Sequence, residues 1–391
     1  MLSARTARYL VEAGHRVTVI SGKSLKEFNS SHGQDEDLIQ NRNIDVIEIR
    51  DPETGGGGVC LYEKIVYHEK YCKWIREALL NTGVIEAVRG CDVIYSLAAP
   101  FSSNALGRAL SRRYAKPWVA HFSDPTMLSL GRKFRSPIRT FITNYDEANI
   151  LKRADAVTFV NGRTLSATIR RLGHLRQKCH VVPHCYDPAY FDSSERRAAK
   201  NEPLRIVHVG SLYGRRTALD LVNAVQRVLQ DNRLVSELNR TIAVELYGAI
   251  TSEIRQTMSG IRGVEIRYMG TVSYRDSINV MKNADILALI DMPGENNLFT
   301  PSKIVDYLAS GSPIIGVSPH ASESSDILNK YGWPCLENGD VESISRSIKG
   351  IARAVIKGRE SNSNFIKEFS APVVVAGLAE ILSGVILSGR E

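Results

Sequence analysis

Asn296–Gly316 reads NNLFTPSKIVDYLASGSPIIG, a helix set between two strands of a doubly wound chain. Thr300 is a good N-cap, Pro301 fits the first helical turn, and Gly311 stops the helix. Ser302 and Lys303 then stand at the amino end, where unpaired N–H groups and the helix dipole make a ready anion site. Lys303 adds a full positive charge.

Outward from this stretch, short β-branched runs alternate with amphipathic helical segments, the rhythm of parallel βα units. The second half reads as strands at 204–209, 241–247, 264–269, 285–290 and 313–317, and the first half at 16–20, 44–49, 92–97, 118–122, 156–160 and 180–182. The polar run DSSERRAAKNEP at Asp192–Pro203 has no periodicity and marks a boundary. The expected division is 1–196, 197–369 and a C-terminal helix at 370–391 that packs back on the first domain. The fold class is α/β: two Rossmann-like domains whose sheet ends face a central cleft.

One feature is irregular. Leu2, Thr6, Tyr9, Leu10 and Ala13 form a helical stripe ended by Gly14, directly before the strand RVTVI. A doubly wound domain ordinarily opens on a central strand, so either another segment fills that slot or a first strand and the glycine-rich turn after it are missing from this sequence. An unfilled central slot is costly because it strands two rows of backbone donors and acceptors.

A second anion site follows the first strand of the second half, in IVHVGSLYGRRTALD. Gly210 ends the strand, Tyr213-Gly214 turns the chain, and Thr217 with Asp220 resembles a capping box. Arg215 and Arg216 lie in that loop, and a guanidinium fork suits a diphosphate. Together with the Lys303 helix they suggest a clamp on one phosphate group. In the first half, PWVAHFSDP at Pro117–Pro125 carries a strand into His121, Phe122, Ser123 and Asp124, polar groups at a carboxyl edge where ligand contacts are expected.

The 391 residues carry a formal charge of +8, with 43% hydrophobic and 24% charged residues. That excludes disordered, collagen-like and disulfide-scaffold classes and permits an anionic partner without selecting one. The six cysteines form no C-x-x-C pair and suit buried thiols in a reducing compartment. No apolar signal core follows Met1. Ala371–Gly389 imitates a membrane span, but its central Glu380, three glycines and two serines favour a buried or docking helix. Gly131–Arg153 holds six basic against two acidic residues among Phe134, Ile138, Phe141 and Ile142, a pattern that suits either a solvated helix or anionic headgroups.

The chain resembles the GT-B nucleotide-sugar glycosyltransferases, specifically glycosyltransferase family 4, over roughly residues 5–390. The resemblance rests on the ordered set LVEAGHRVTVISG, KRADAVTFVNGRT, VVPHCYDPAYF, VHVGSLYGRR and PSKIVDYLASGSPIIG. It implies that Arg215 or Arg216 grips the donor diphosphate, beside Gly210 and Ser211, with Thr300, Ser302 and Lys303 supporting the same phosphates. Asp306 stands where the family usually places a ribose-binding glutamate, and Gly270, Thr271 and Ser273 would lie beside the base. His121 and Asp124 would face the transferred sugar. There are departures. The earlier member of the family's carboxylate pair is Leu298 here, with Glu295 the nearest upstream carboxylate, and the family arginine after the strand-end glycine is Ser211.

The resemblance implies a retaining, metal-independent transfer from a nucleotide-sugar donor to a saccharide or lipid-linked acceptor, in cell-surface polysaccharide or glycoconjugate synthesis. No cofactor and no nucleic-acid partner are expected. The expected location is cytoplasmic, peripheral at the inner face of an anionic membrane. A catalytically degenerate subunit that binds a nucleotide sugar or supports a partner enzyme stays open as an alternative, as does an epimerase on the same fold.

Overall fold

Most of the short apolar strands are followed by a helix that returns the chain to the same edge, and every strand pair among the described residues is parallel. The computed structural model describes residues 2–22, 44–49, 72–98, 101–126, 130, 137–191, 203–294, 297–357 and 366–389. Two units result: Met1–His184 with Ala371–Glu391, and Cys185–Ser370.

The first unit runs α1 (Leu2–Glu12), β1 (Val17–Ser21), β2 (Ile44–Glu48), α2 (Cys72–Leu80), α3 (Thr82–Gly90), β3 (Ile94–Ala98), α4 (Ser102–Tyr114), β4 (Trp118–Phe122), α5 (Pro137–Arg153), β5 (Ala156–Phe159), α6 (Gly162–Arg171) and β6 (Cys179–Val181). Its strands form two sheets, β1-β2 and β3-β4-β5-β6. Among the described residues no strand lies between β1 and β3, so the place expected for a central strand is not filled by one. A shared core joins the two sheets instead: Ile49, Trp74, Val84, Val88, Leu106 and Leu110 are buried together, with Ile20, Ile47 and Ile94 packed on them.

The second unit continues with β7 (Leu204–Val209), α7 (Leu219–Leu229), α8 (Asn232–Leu238), β8 (Ile242–Tyr247), α9 (Ser252–Ser259), β9 (Glu265–Gly270), α10 (Tyr274–Lys282), β10 (Ile286–Ile290), α11 (Lys303–Ser310), β11 (Ile314–Val317), α12 (Glu323–Lys330), β12 (Cys335–Leu336) and α13 (Val341–Ile356). The sheet order is β12-β11-β10-β7-β8-β9. The strand order therefore reverses between the neighbours β7 and β10, and ligands bind outside the carboxyl ends at such a switch point.

The division falls at His184/Cys185, ahead of the expected boundary at 196, because the chain joins the second unit early. The Tyr186 amide donates to the Phe369 carbonyl, Lys282 Nζ donates to the Phe191 carbonyl at 2.8 Å, and the Tyr190 and Tyr274 rings pack edge to face. Residues 192–202 of the expected linker lie outside the described residues. The C-terminal helix α14 (Ala371–Ser388) belongs to the first unit and packs against α1 and β4. It is long and apolar enough to cross a membrane, yet it buries one face, Val374, Val375, Leu378 and Leu382, and exposes the other.

A buried polar chain fixes α4 on the sheet of the first unit. Trp118 Nε1 donates to Ser96 Oγ (2.8 Å), Ser96 Oγ to Asn104 Oδ1 (2.6 Å), and Asn104 Nδ2 to the His121 carbonyl (3.2 Å). Gly107 makes room for it: a Cβ there would lie 2.6 Å from Trp118 Nε1 and 2.9 Å from Ser96 Oγ. Gly107→Ala is expected to cost about 1–3 kcal/mol through overpacking. That loss reads as a lower urea midpoint at unchanged slope; an unchanged midpoint would refute this packing account.

Candidate functional site

β7 ends at Val209, and Gly210 begins the loop that turns toward α7. Tyr213 and Arg216 close a tight turn, the Arg216 amide donating to the Tyr213 carbonyl at 3.1 Å, with Gly214 at φ +57° supplying the left-handed residue. The turn folds Arg216 back over the sheet end, where its guanidinium lies 5.6 Å from the Tyr213 ring centre. Arg215 points to solvent. Of the two candidate arginines, then, Arg216 alone is held at the sheet end.

Arg216 Nη2 reaches Asp291 Oδ1 at 3.3 Å, and Asp291, directly after β10, is fully buried. That carboxylate is already saturated: Oδ1 also accepts from the Met292 amide (2.8 Å), and Oδ2 accepts from Ser324 Oγ (3.0 Å) and Ser318 Oγ (3.3 Å). Asp291 anchors the arginine by one contact and leaves the rest of its fork free. Arg216 Nε is buried with no partner. A buried carboxylate so fully satisfied fixes a direction rather than adding stability.

Lys303 opens α11. Burial pushes its ammonium down from the ordinary lysine value, with Asp306 opposing, and no described carboxylate pairs with it within 4.0 Å. Lys303 and Arg216 both bear on one imidazole, His208 of β7: burial first, then these two cations, lower it to about 4. Two underneutralised cations therefore share one neighbourhood, between the ends of β7 and β10 and the amino end of α11. This placement can take an anion with paired negative groups.

Several expected details differ. The helix begins at Lys303, and its N-cap is Ser302 in α conformation without a side-chain bond, so Thr300 is not the cap. The Ile304 amide is satisfied by the Pro301 carbonyl instead, which tightens the entry turn. Gly311 ends the helix at φ +69°, as its position suggests. Thr217 and Asp220 form no capping box. Ala218 caps α7, Thr217 Oγ1 accepts from the Leu219 amide, and Asp220 turns away to accept from the Gly339 amide at 2.9 Å.

Asp306 is buried one turn along from Lys303 and accepts from the Tyr274 hydroxyl at 2.9 Å, which fixes its carboxylate. Leu298 is buried, and Glu295 lies outside the described residues. Gly270 ends β9 at φ +73°, its carbonyl accepts from the Gly248 amide at 2.7 Å, and exposed Thr271 follows. A Cβ on Gly248 would sit 2.4 Å from the Gly210 carbonyl oxygen, so the ends of β7 and β8 approach closely only through glycine. Ser211 is exposed beside them.

In the first unit, His121 is buried on β4, with Nδ1 2.9 Å from Thr158 Oγ1 and Nε2 without a partner. Burial, then His184, lowers it to about 3, so it is uncharged at neutral pH. Asp124 lies on the loop beyond the strand and makes no hydrogen bond with His121. It is solvent-exposed, yet the protein around its carboxyl raises it modestly by desolvation. Asp291, Tyr274 and His208 were not legible as site residues. Asp291 and His208 belong to strands that read as plain core, and their partners stand 75 to 80 positions away.

Residues 3–190 match the family model Glycosyltransferase Family 4. No curated protein sequence matches the chain. Among solved structures, Anabaena Alr3699/HepE, crystallised with UDP and glucose, is similar at 14% identity and TM-score 0.65, over 98% of this chain and 96% of that one. A glycosyltransferase from Rickettsia africae is similar at 16% identity and TM-score 0.63, over 98% and 93%. WaaG, a glycosyltransferase involved in lipopolysaccharide biosynthesis, is similar at 11% identity and TM-score 0.58, over 97% and 94%. The N-terminal half of the chain thus matches that family, and over its full length the chain has the GT-B fold of these structures.

Proposed function

We propose that the chain transfers a sugar from a nucleoside diphosphate sugar to a saccharide or lipid-linked saccharide acceptor, in making a cell-surface polysaccharide or glycoconjugate. The observation that carries this reading is the pair of underneutralised cations, Arg216 and Lys303, at the switch point of the second sheet. HepE, similar in fold, has been crystallised with UDP and with UDP-glucose.

Transfer breaks the bond between the anomeric carbon and the diphosphate oxygen, and the electron pair leaves with the diphosphate. Negative charge grows on the departing phosphate, where fixed cations and a helix amino end stabilise it without reorganising. Arg216, oriented by Asp291, and Lys303 with the α11 amides would supply that charge, which supports a metal-independent reaction. Asp306, held by the Tyr274 hydroxyl, would accept from the ribose. Retention of configuration is assigned from the family resemblance. His121 and Asp124 are assigned to the transferred sugar, His121 as an uncharged hydrogen-bonding group. Buried Leu298 in place of a family carboxylate favours a second reading, a donor-binding subunit without transfer.

We place the enzyme in the cytoplasm against an anionic membrane. Helix α5 exposes Ile138, Phe141 and Tyr145 on one face, the last two rings stacked 6.2 Å apart. Beside Tyr145, a cavity of about 600 Å³ between α4 and α5 is lined by Arg108, Arg112, Arg113 and Arg153. Only Arg108 has a described carboxylate partner, Asp146 at 3.6 Å. An apolar row flanked by unpaired guanidinium groups suits an interface of anionic headgroups. Residues 131–136, the basic start of that stretch, lie outside the described residues.

Calorimetric titration with UDP is expected to show affinity falling at least tenfold in Arg216→Ala and in Lys303→Ala, the loss of a charge-assisted bond. Wild-type affinity in both variants, at unchanged melting temperature, would refute the donor site. Incubation with donor and acceptor separates transfer from binding alone, since the second reading gives neither sugar transfer nor donor hydrolysis. Vesicle co-sedimentation should rise with the phosphatidylglycerol fraction, fall with salt, and drop severalfold in Phe141→Ser. Indifference to lipid charge would contradict the membrane reading.

A further inference from the structure

We infer that His208 is a third ligand of the donor diphosphate, one that takes up a proton as the donor binds and then donates a hydrogen bond from Nε2 to a phosphate oxygen. The inference rests on the donor-site reading above and deepens it. His208 Nδ1 lies 2.9 Å from the Ala288 carbonyl oxygen. A carbonyl only accepts, so Nδ1 carries the ring proton and Nε2 holds a bare lone pair. That Nε2 is buried and has no hydrogen-bond partner. A buried polar atom left unsatisfied calls for an explanation.

Its placement supplies one. His208 stands two residues before Gly210 and on the same face of β7, and a Cβ at Gly210 would lie 2.9 Å from Nε2. A side chain at 210 would crowd the nitrogen; glycine leaves the space beside this buried atom unfilled. The charged and titratable groups around the ring come from three elements. Lys303 reaches it from α11 and Arg216 from the loop after β7. Asp291, after β10, is tied up on Arg216, and Tyr307 of α11 shares the Ala288 carbonyl at 3.5 Å and accepts from the Val209 amide at 2.7 Å.

Burial above all holds the ring neutral and the two cations add to it, against the bond to Ala288, which outweighs either cation, and a lesser one to the Gly210 backbone. A diphosphate brings two negative charges against Lys303 and Arg216, cancels their repulsion of the ring, and offers Nε2 an oxygen that accepts a hydrogen bond. The protonated ring then becomes the favoured form. The proton comes from solvent and ends on Nε2, and no other bond changes. The sign follows by linkage: the bound state holds more protons than the free state, so affinity rises as pH falls from 8 toward 6.

UDP-glucose is the probe, because its diphosphate diester does not itself titrate in that range. Isothermal titration at pH 6.5 in two buffers of unlike ionisation enthalpy should show net proton uptake by the wild-type protein. His208→Gln places an amide N–H near the Nε2 position, so it should bind within about threefold of wild type, without proton uptake and without pH dependence. His208→Asn keeps a donor for the Ala288 carbonyl but loses Nε2, and should bind about tenfold more weakly. Binding without proton uptake in the wild type, a measurement that needs no variant to fold, overturns the inference and leaves the donor site standing. So does uptake that persists in His208→Gln. No binding of UDP-glucose by the wild type removes the donor site itself, and this inference with it.

Discussion

Charge left unbalanced at the end of one parallel sheet is the constraint on which the functional account depends. Asp291 is the only described carboxylate at the Arg216 fork, and three other donors, Met292, Ser318 and Ser324, already fall on its two oxygens. Lys303 is partly desolvated and has no described ion-pair partner. A protein interior tolerates such cations only where an anion completes them. The fold explains the location. β7 and β10 are neighbours at the point where strand order reverses, so the loops after them diverge and leave their ends open.

The closeness of that open end depends on glycine. Gly210 leaves room beside the buried His208 Nε2, and Gly248 lets the end of β8 approach the Gly210 carbonyl, at a spacing no side chain would permit. Tyr307, fully buried on α11, ties that helix to the Val209 amide at 2.7 Å. The amino end of α11, and Lys303 with it, is thereby fixed relative to the β7 end. Position in this site is carried by backbone approach and one tyrosine, while charge is carried by two flexible side chains that need anchoring.

Local chemistry made much of this legible. Strand periodicity located eleven of the twelve strands to within two residues at either end, and Gly311 identified the end of α11. The strand missed, Cys335–Leu336, is two residues long and exists through its pairing with β11, which no local pattern records. Capping failed where distant partners outbid local ones, as Gly339 did for the Asp220 carboxylate. The cations could be named from the sequence because loops and helix starts have signatures. Asp291 could not, since its meaning lies in Arg216, Ser318 and Ser324, brought together only by folding. In the first unit, His121 read as a polar group at a strand's carboxyl edge, and the fold buries it, neutral, beside Thr158. At the start of that unit the described strands form two sheets, held by one core.

The most direct measurement is a crystal structure of the chain grown with UDP. The account requires both phosphates at the ends of β7 and β10, with oxygens within hydrogen-bond reach of the Arg216 guanidinium and the Lys303 ammonium. Diphosphate density elsewhere on the molecule, with these two side chains unaltered and turned to solvent, would contradict it.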